Sequence, residues 1–131
     1  MAYEIYTYQT ASGRDPVGEF LDELRVKTDK ANRVRTNKIY DCFDALARHG
    51  TSLGKPVIDH LDGEIYELRP LRDRILFAAW VDRQFVLLHH FYKTTQKTPR
   101  REIELAQQRL ADLKRRNGNE KITGKKIGDG A

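Results

Sequence analysis

Apolar and polar residues alternate with two different periods along this chain, and the two periods predict the order of its strands and helices. The segment from Tyr3 to Gln9 alternates apolar and polar positions, which is typical of a β-strand with one buried face. Asp15 and Pro16 then predict the N-cap and the first position of a helix. Four apolar residues follow at helical spacing and predict the buried face of that helix: Val17, Phe20, Leu21 and Leu24.

A second helix is predicted to begin at Thr28 and Asp29 and to end at Gly50. Its apolar stripe comprises Ile39, Cys42, Phe43 and Leu46. Together the two helices predict a helical hairpin. Glycine and proline residues interrupt the next segment, 51–63, which we therefore expect to be irregular.

Three short strands are predicted next, over residues 65–71, 74–81 and 85–92. Their connections are too short for crossovers, so we expect them to be antiparallel, although neither turn contains glycine and the turn types stay open. Thr98 and Pro99 then predict the start of a last helix. The buried stripe of that helix is Ile103, Ala106, Leu110 and Leu113.

This order, βααβββα, predicts an α+β domain with an antiparallel four-stranded sheet and helices packed on one face. A sheet covered on one face leaves the other face free to bind a ligand. A chain of 131 residues is long enough for one core but not for two. We therefore expect a single domain over residues 1–116 and a flexible, basic C-terminal tail over residues 117–131, where the sequence is polar and rich in glycine.

The composition narrows the class of protein. Apolar residues make up 39% of the chain and charged residues 33%, which is typical of a globular protein with a heavily charged surface. The sequence has no run of 18 apolar residues, and its N-terminus lacks the pattern of a signal peptide. The single cysteine, Cys42, excludes an internal disulfide and a multi-cysteine zinc site. These features predict a soluble, cytoplasmic protein that does not bind membranes.

The net charge of +5 is concentrated in two segments, residues 25–38 and the chain from Lys114 onward. Arg33, Arg35 and Lys38 in the first segment are candidates for contacts with a phosphate backbone. A solvated helix face and a disordered tail would show the same charge pattern, so the charge alone does not establish nucleic-acid binding.

Cations also gather near the strand ends between residues 61 and 99. Arg69 lies near the end of one predicted strand and Arg74 opens the next, so hairpin pairing brings them within about 10 Å of each other. Two guanidinium groups at that distance repel each other unless an anion, such as phosphate, lies between them. Glu67 lies on the same strand face as Arg69 and is an equally good candidate for that anion.

Other residues of the same segment are candidates for chemistry or binding. His89 and His90 are adjacent in a strand and must face opposite sides, so they cannot bind one metal ion together, and we predict no metal site. The outward histidine is a candidate general acid or base, although a packing role is more common for such a residue. Candidates for contacts with nucleic acid are Arg72, Tyr92, Lys93 and Lys97.

In combination, several of these segments resemble the RelE/ParE superfamily of toxins. The resemblance rests on the strand YELRP, on a following strand opened by an arginine, and on LLHHFYKTTQKTP before a helix with EIELAQQR. With PVGEFLDEL and LDGEIYELRP it covers most of the chain, from about Tyr3 to Leu113, and looks most like the HigB-type branch of phage-derived addiction-module killers.

The resemblance implies a RelE-like fold and a metal-free endoribonuclease without a cofactor, which cuts mRNA, often in the ribosomal A site. It also implies a cognate antitoxin with a helix-turn-helix, of the HigA type. Attack of the ribose 2′-hydroxyl on the neighbouring phosphorus would leave a cyclic phosphate and a 5′-hydroxyl. Arg69, Arg74 and Lys93 match the family's basic positions, and Lys97 lies in a stretch that binds RNA or ribosome.

One departure from the family pattern concerns the general base. The best-known RelE members place lysines along the strand before the arginine, where this chain has Ile65 and Glu67. Glu67 or the outward histidine, for which His89 is the candidate, therefore replaces lysine as the expected base. Two alternative functions stay open: a gyrase poison of the ParE type, and a non-catalytic module that binds RNA or a partner protein.

Overall fold

The computed structural model describes residues 2–128 of the chain. Within that range, three helices and a short 3₁₀ turn accompany one six-stranded sheet. The helices are α1 (Pro16–Arg25), α2 (Lys30–His49) and α3 (Arg100–Asn117). The strands are β1 (Glu4–Thr7), β2 (Ile58–Asp62), β3 (Ile65–Leu68), β4 (Asp73–Trp80), β5 (Gln84–Tyr92) and β6 (Lys126–Ile127).

The helix boundaries follow the capping signals of the sequence. Asp15 caps α1 by accepting a hydrogen bond from the backbone of Gly18, and Pro16 occupies the first turn, as predicted. Asp29 caps α2 in the same way, and Gly50 ends it with φ of 63°, a conformation that costs glycine little.

The sheet is larger than the predicted one. Its strands lie in the order β2-β3-β4-β5-β1-β6, with β1 parallel to β5 and the other pairs antiparallel. The prediction of four strands is wrong because β2 lies in the segment expected to be irregular, where Gly63 makes the turn into β3 with φ of 56°. The second additional strand, β6, lies in the predicted tail.

The helices cover both faces of the sheet, which contradicts the prediction that they pack on one face. Ile5 and Tyr6 are neighbours in β1 and belong to two different apolar clusters. The first cluster joins the sheet to α1 and α2, and the second joins it to α3. Since alternate strand residues point to opposite faces, both faces are buried along the central strands.

A β-bulge in β5 decides the orientation of the two histidines. Leu76 pairs with His89 while Phe77 pairs with Leu87, so Leu88 is an extra residue in β5. The bulge puts His89 on the α3 face and His90 on the face of α1. Without the extra residue, alternation from Leu87 would place each histidine on the opposite face. The turn before β5 is formed by Asp82 and Arg83, with φ of 55° and 59°.

Residues 120–127 of the tail predicted over residues 117–131 contact the sheet in the structure. Gln84 in β5 binds the backbone of Ile122 twice: its Nε2 donates to the carbonyl at 3.0 Å, and its Oε1 accepts from the N–H at 2.9 Å. Trp80 Nε1 donates to the carbonyl of Glu120 at 2.7 Å. Ile122 and Ile127 are buried against the sheet. Residues 129–131 of the predicted tail lie outside the described residues.

Candidate functional site

A cleft of about 380 Å³ opens where β4 begins and β5 ends. It is lined by Leu71, Arg72, Arg74, Lys93, Thr94, Thr95 and Gln96. Two hydrogen bonds connect the lining residues Arg72 and Lys93. The Lys93 N–H donates to the carbonyl of Arg72 at 2.8 Å, and Arg72 Nη2 donates to the carbonyl of Lys93 at 2.7 Å. Three cations and no carboxylate appear among the lining residues in the described part of the chain, so the cleft favours an anion.

Arg74 is the most firmly held of these cations. It is only 8% exposed, and its Nη1 donates to the carbonyls of Leu71 at 2.8 Å and Asp73 at 2.9 Å. Leu71 adopts φ of 56°, in the left-handed region, and this turn aims its carbonyl at the guanidinium. Burial lowers the pKa of Arg74 from its usual value, against the opposing effect of Glu67. Its Nε is buried without a hydrogen-bond partner among the described residues.

Glu67 lies between Arg74 and Arg69. The side chain is fully buried, and its Oε1 is 3.1 Å from Arg69 Nε and 3.8 Å from Arg74 Nε. Arg69 Nη2 is also 3.9 Å from Asp59 Oδ2. The two arginines therefore come together as predicted, and a carboxylate of the chain occupies the place between them. Only Arg74 of the two lines the cleft.

The Oε2 atom of Glu67 accepts a hydrogen bond from the hydroxyl of Thr98, the second residue before α3. Sequence reasoning had assigned Thr98 to the start of the last helix and missed this contact. A buried carboxylate and a hydroxyl 31 positions further along the chain leave no local signal that they meet.

His89 lies on the same face as Glu67, next to α3. Its Nε2 is 2.6 Å from Glu102 Oε1, and its ring stacks near that of Phe91. Burial lowers the pKa of His89 from its usual value, although the hydrogen bond with Glu102 acts in the opposite direction. Neither His89 nor Glu67 lines the cleft, so the two candidate bases are placed behind the cations rather than in the opening.

Of the predicted binding residues, Arg72 lines the cleft, Tyr92 contacts Arg72 beside it, and Lys97 is exposed in the loop after β5. Tyr92 is 49% exposed, with the guanidinium of Arg72 at 5.6 Å and that of Arg35 at 5.3 Å from its ring centre. Such distances are typical of cation–π contacts. The exposed ring is therefore held between two cations.

Arg35 was predicted to be available on the surface of α2 for contacts with phosphate, but its guanidinium is bound within the protein. Its Nε and Nη2 donate to the two oxygens of Asp73 at 2.8 Å and 2.7 Å. His90 Nε2 is 2.8 Å from the same carboxylate, and its ring stacks on Phe20 at 3.4 Å between centres. Burial by itself raises the pKa of Asp73, but the hydrogen bonds of Arg35 and His90 outweigh it and hold that pKa below its usual value.

The sequence places Asp73 in the short turn between the strands predicted over residues 65–71 and 74–81. In the structure it begins β4, is fully buried, and joins α2 to the strand that carries Arg74. Arg33 and Lys38, the other candidates on α2, are exposed. Of the three candidate cations on α2, these two have exposed side chains and are available to a long anionic ligand.

Among residues 2–128, no group of three or more histidine, cysteine, aspartate and glutamate side chains is arranged to hold a metal ion. In the same range, no helix is long and apolar enough to cross a membrane.

The fold and the cleft define a small α+β protein whose cleft is lined by a firmly held arginine and two further cations. Residues 19–111 match the family described as "Phage derived protein Gp49-like (DUF891)". The chain therefore belongs to this phage-derived family, which is a family of the RelE/HigB toxin type. This confirms the broader part of the sequence-based resemblance.

A solved structure is also similar. It is a chain of the archaeal RelE–RelB complex from Pyrococcus horikoshii OT3, with a TM-score of 0.49 and 18% sequence identity. The similarity covers 70% of this chain and 96% of that chain. No curated protein sequence matches this one.

Proposed function

We propose that this protein is the toxin of a type II toxin–antitoxin system and that it acts as a metal-free endoribonuclease on mRNA. The observation that carries the proposal is the cleft, where Arg72, Arg74 and Lys93 converge without a lining carboxylate. Membership in a phage-derived family of the RelE/HigB type supports the same conclusion. The narrower assignment to the HigB-type branch is part of the proposal.

In the proposed reaction, the ribose 2′-hydroxyl attacks the adjacent phosphorus and forms a bond to it. The bond to the 5′-oxygen of the next nucleotide breaks, water accepts the proton of the 2′-hydroxyl, and water supplies a proton to the 5′-oxygen, which leaves a cyclic phosphate and a 5′-hydroxyl. Negative charge grows on the phosphoryl oxygens in the transition state, and preorganised cations stabilise it. Arg74 is held by two carbonyls and needs little reorganisation to serve this role, while Lys93, which also lines the cleft, supplies a second charge.

Glu67 and Asp59 formally balance the charges of Arg69 and Arg74, because each carboxylate lies within an ion-pair distance of a guanidinium. The excess positive charge at the cleft therefore comes from Arg72 and Lys93. We propose that Arg69 acts on the reaction through Glu67 and that Arg74 and Lys93 contact the scissile phosphate. Tyr92 and Arg72 would contact the neighbouring nucleotide.

Binding of a long RNA needs cations beyond the cleft. The exposed Arg33 and Lys38 on α2, together with Lys97 in the loop after β5, are the proposed contacts with the RNA backbone or the ribosome. Arg35 is excluded from this set because its guanidinium is bound to Asp73. The proposed partner that silences the toxin is a HigA-like antitoxin with a helix-turn-helix.

Controlled expression in bacteria followed by mapping of RNA 5′ ends tests the proposal. The native protein is expected to arrest growth and to create new 5′-hydroxyl ends inside coding regions. Arg74→Lys keeps the charge but loses the guanidinium, and it should reduce both effects strongly. Arg48→Ala is the control, because it removes an exposed cation near the C-terminal end of α2 that does not line the cleft.

Two other outcomes would replace the proposal. Growth arrest with DNA damage and intact mRNA would indicate a gyrase poison. Expression without growth arrest, from a protein shown to be folded, would indicate a non-catalytic binding module.

A further inference from the structure

Two partly buried polar contacts join the sheet to the start of α3, beside the exposed pair of Arg100 with Asp62. The hydroxyl of Thr98 donates to Glu67, and His89 Nε2 is 2.6 Å from Glu102 Oε1. Thr98 lies just before α3 and Glu102 lies in its first turn. We name these pairs, Glu67–Thr98 and His89–Glu102, the two α3 anchors.

We propose that Glu67 and His89 are positioning residues. The two α3 anchors fix the loop after β5, and Glu67 also orients the guanidinium of Arg74. This inference rests on the proposed ribonuclease function and assigns to both residues a role other than that of general base.

The contacts of Glu67 leave it no free oxygen to act as a base. Its Oε1 faces Arg69 and Arg74, and its Oε2 accepts from Thr98. The carboxylate is fully buried behind the two guanidinium groups and does not line the cleft, so it has no path to a ribose hydroxyl there. Its geometry suits the orientation of Arg74, whose Nε faces the carboxylate.

The loop after β5 is fixed at both of its ends. Lys93 is joined to Arg72 through the backbone at one end, and Thr98 is joined to Glu67 at the other. Only residues 94–97 lie between these two points, and their single internal side-chain bond is that of the Thr95 hydroxyl to the carbonyl of Lys97, at 2.6 Å. Thr94, Thr95 and Gln96 are cleft-lining residues, so releasing Thr98 would loosen one wall of the cleft.

The capping pattern of α3 supports this assignment. Pro99 is the N-cap residue and makes no side-chain capping bond, which leaves the helix start without the usual local support. Thr98 has a hydroxyl next to this helix start but donates it to the sheet. The first turn of α3 is therefore placed by contacts with the sheet, and Glu67 in β3 and His89 in β5 make the partly buried ones.

The pair Thr98→Val and Thr98→Ser tests the first anchor. Valine has the shape of threonine without its hydroxyl, and serine keeps the hydroxyl. With purified protein and a short mRNA, bound to ribosomes if free RNA is not cut, Thr98→Val should lower kcat about tenfold to a hundredfold with little change in KM. Thr98→Ser should keep most of the activity, and both variants should unfold near the temperature of the native protein.

Hydrogen–deuterium exchange measures the loop without relying on activity. Thr98→Val should speed amide exchange over residues 93–98, whereas Thr98→Ser should not. Equal kcat and equal exchange in the two variants would overturn the proposal. A native protein that cuts no RNA would refute the proposed function, and the exchange experiment would still decide whether the anchor holds the loop.

Conservative variants separate positioning from proton transfer. Glu67→Gln should lower kcat while keeping the shape of the pH–rate profile, and His89→Gln, which can still bind Glu102, should keep most of the native rate. Loss of one limb of the pH–rate profile in either variant would show that the residue transfers a proton, and the positioning role would then be wrong.

Discussion

The guanidinium of Arg35 binds the carboxylate of Asp73 with two parallel hydrogen bonds, from Nε at 2.8 Å and from Nη2 at 2.7 Å. The carboxylate is fully buried, and His90 lies 2.8 Å from it as well. This pair connects α2 to the strand that begins the cleft. A cation that charge patterning assigns to RNA is thus part of the framework that holds Arg74 in place.

Removing Arg35 should therefore destabilise the protein. Arg35→Ala leaves Asp73 buried with His90 as its remaining side-chain partner, and breaking a buried ion pair in this way costs about 3 kcal/mol in the free energy of unfolding. Urea unfolding measures the change. Arg33→Ala removes an exposed cation two positions earlier in α2 and should change the same free energy by less than about 0.5 kcal/mol. Similar losses for the two variants would contradict a structural role for Arg35.

Lys93 and Lys97 are expected to act at different stages of the reaction. Lys93 lines the cleft, whereas Lys97 is exposed in the same loop. Lys93→Ala should lower kcat about a hundredfold, because one charge near the phosphoryl oxygens is lost. Lys97→Ala should mainly raise KM, with an effect that weakens as salt is added. Steady-state cleavage of a labelled mRNA distinguishes the two, and a KM effect alone for Lys93→Ala would exclude it from the chemical step.

The parts of the fold that local chemistry determines could be predicted. The caps at Asp15 and Asp29 and the apolar stripe of α3 require only a few neighbouring residues, and all were placed correctly. The covering of both sheet faces could not be predicted in this way. It depends on which cluster each strand residue joins, and a central strand such as β4 is apolar on both sides.

The residues of the candidate site also divide into those that a local sequence pattern indicates and those that it does not. Arg72, Arg74 and Lys93 were found because cations at strand ends are visible in the sequence. The pairing of Asp73 with Arg35 spans 38 positions and leaves no local pattern. The bulge at Leu88 exchanges the faces of His89 and His90, and strict alternation along a strand cannot anticipate an extra residue.

The docked C-terminal segment should be sensitive to Gln84. This side chain is 1% exposed and makes two hydrogen bonds to the backbone of Ile122. Gln84→Ala leaves a buried N–H and a buried carbonyl unpaired, which costs about 2 kcal/mol. Amide exchange over residues 120–127 should become faster in this variant. Thr123→Ala changes an exposed residue of the same segment and should leave the exchange unchanged.

If the exchange over residues 120–127 is already fast in the native protein, the segment is not held in solution and the expectation of a flexible tail is correct. The fluorescence of Trp80 gives a second measurement, because its indole N–H donates to the carbonyl of Glu120 and this is the only tryptophan in the chain. Release of the segment should shift the emission of Trp80 in Gln84→Ala and not in Thr123→Ala.

Asp112 should make stability depend on pH in the acid range. Hydrogen bonds from Arg116 and from the hydroxyl of Tyr8 lower the pKa of Asp112 from 3.8 to about 2. Because the pKa is lower in the folded state, the stabilisation is fully present above the usual value and is lost as the pH falls from 3.8 towards about 2. Asp112→Asn should therefore be less stable than the native protein at neutral pH, and the difference should shrink over this acid interval. Thermal unfolding at a series of pH values measures it, with the exposed Asp41→Asn as control, and a difference that stays constant down to pH of about 2 would contradict the role of Asp112.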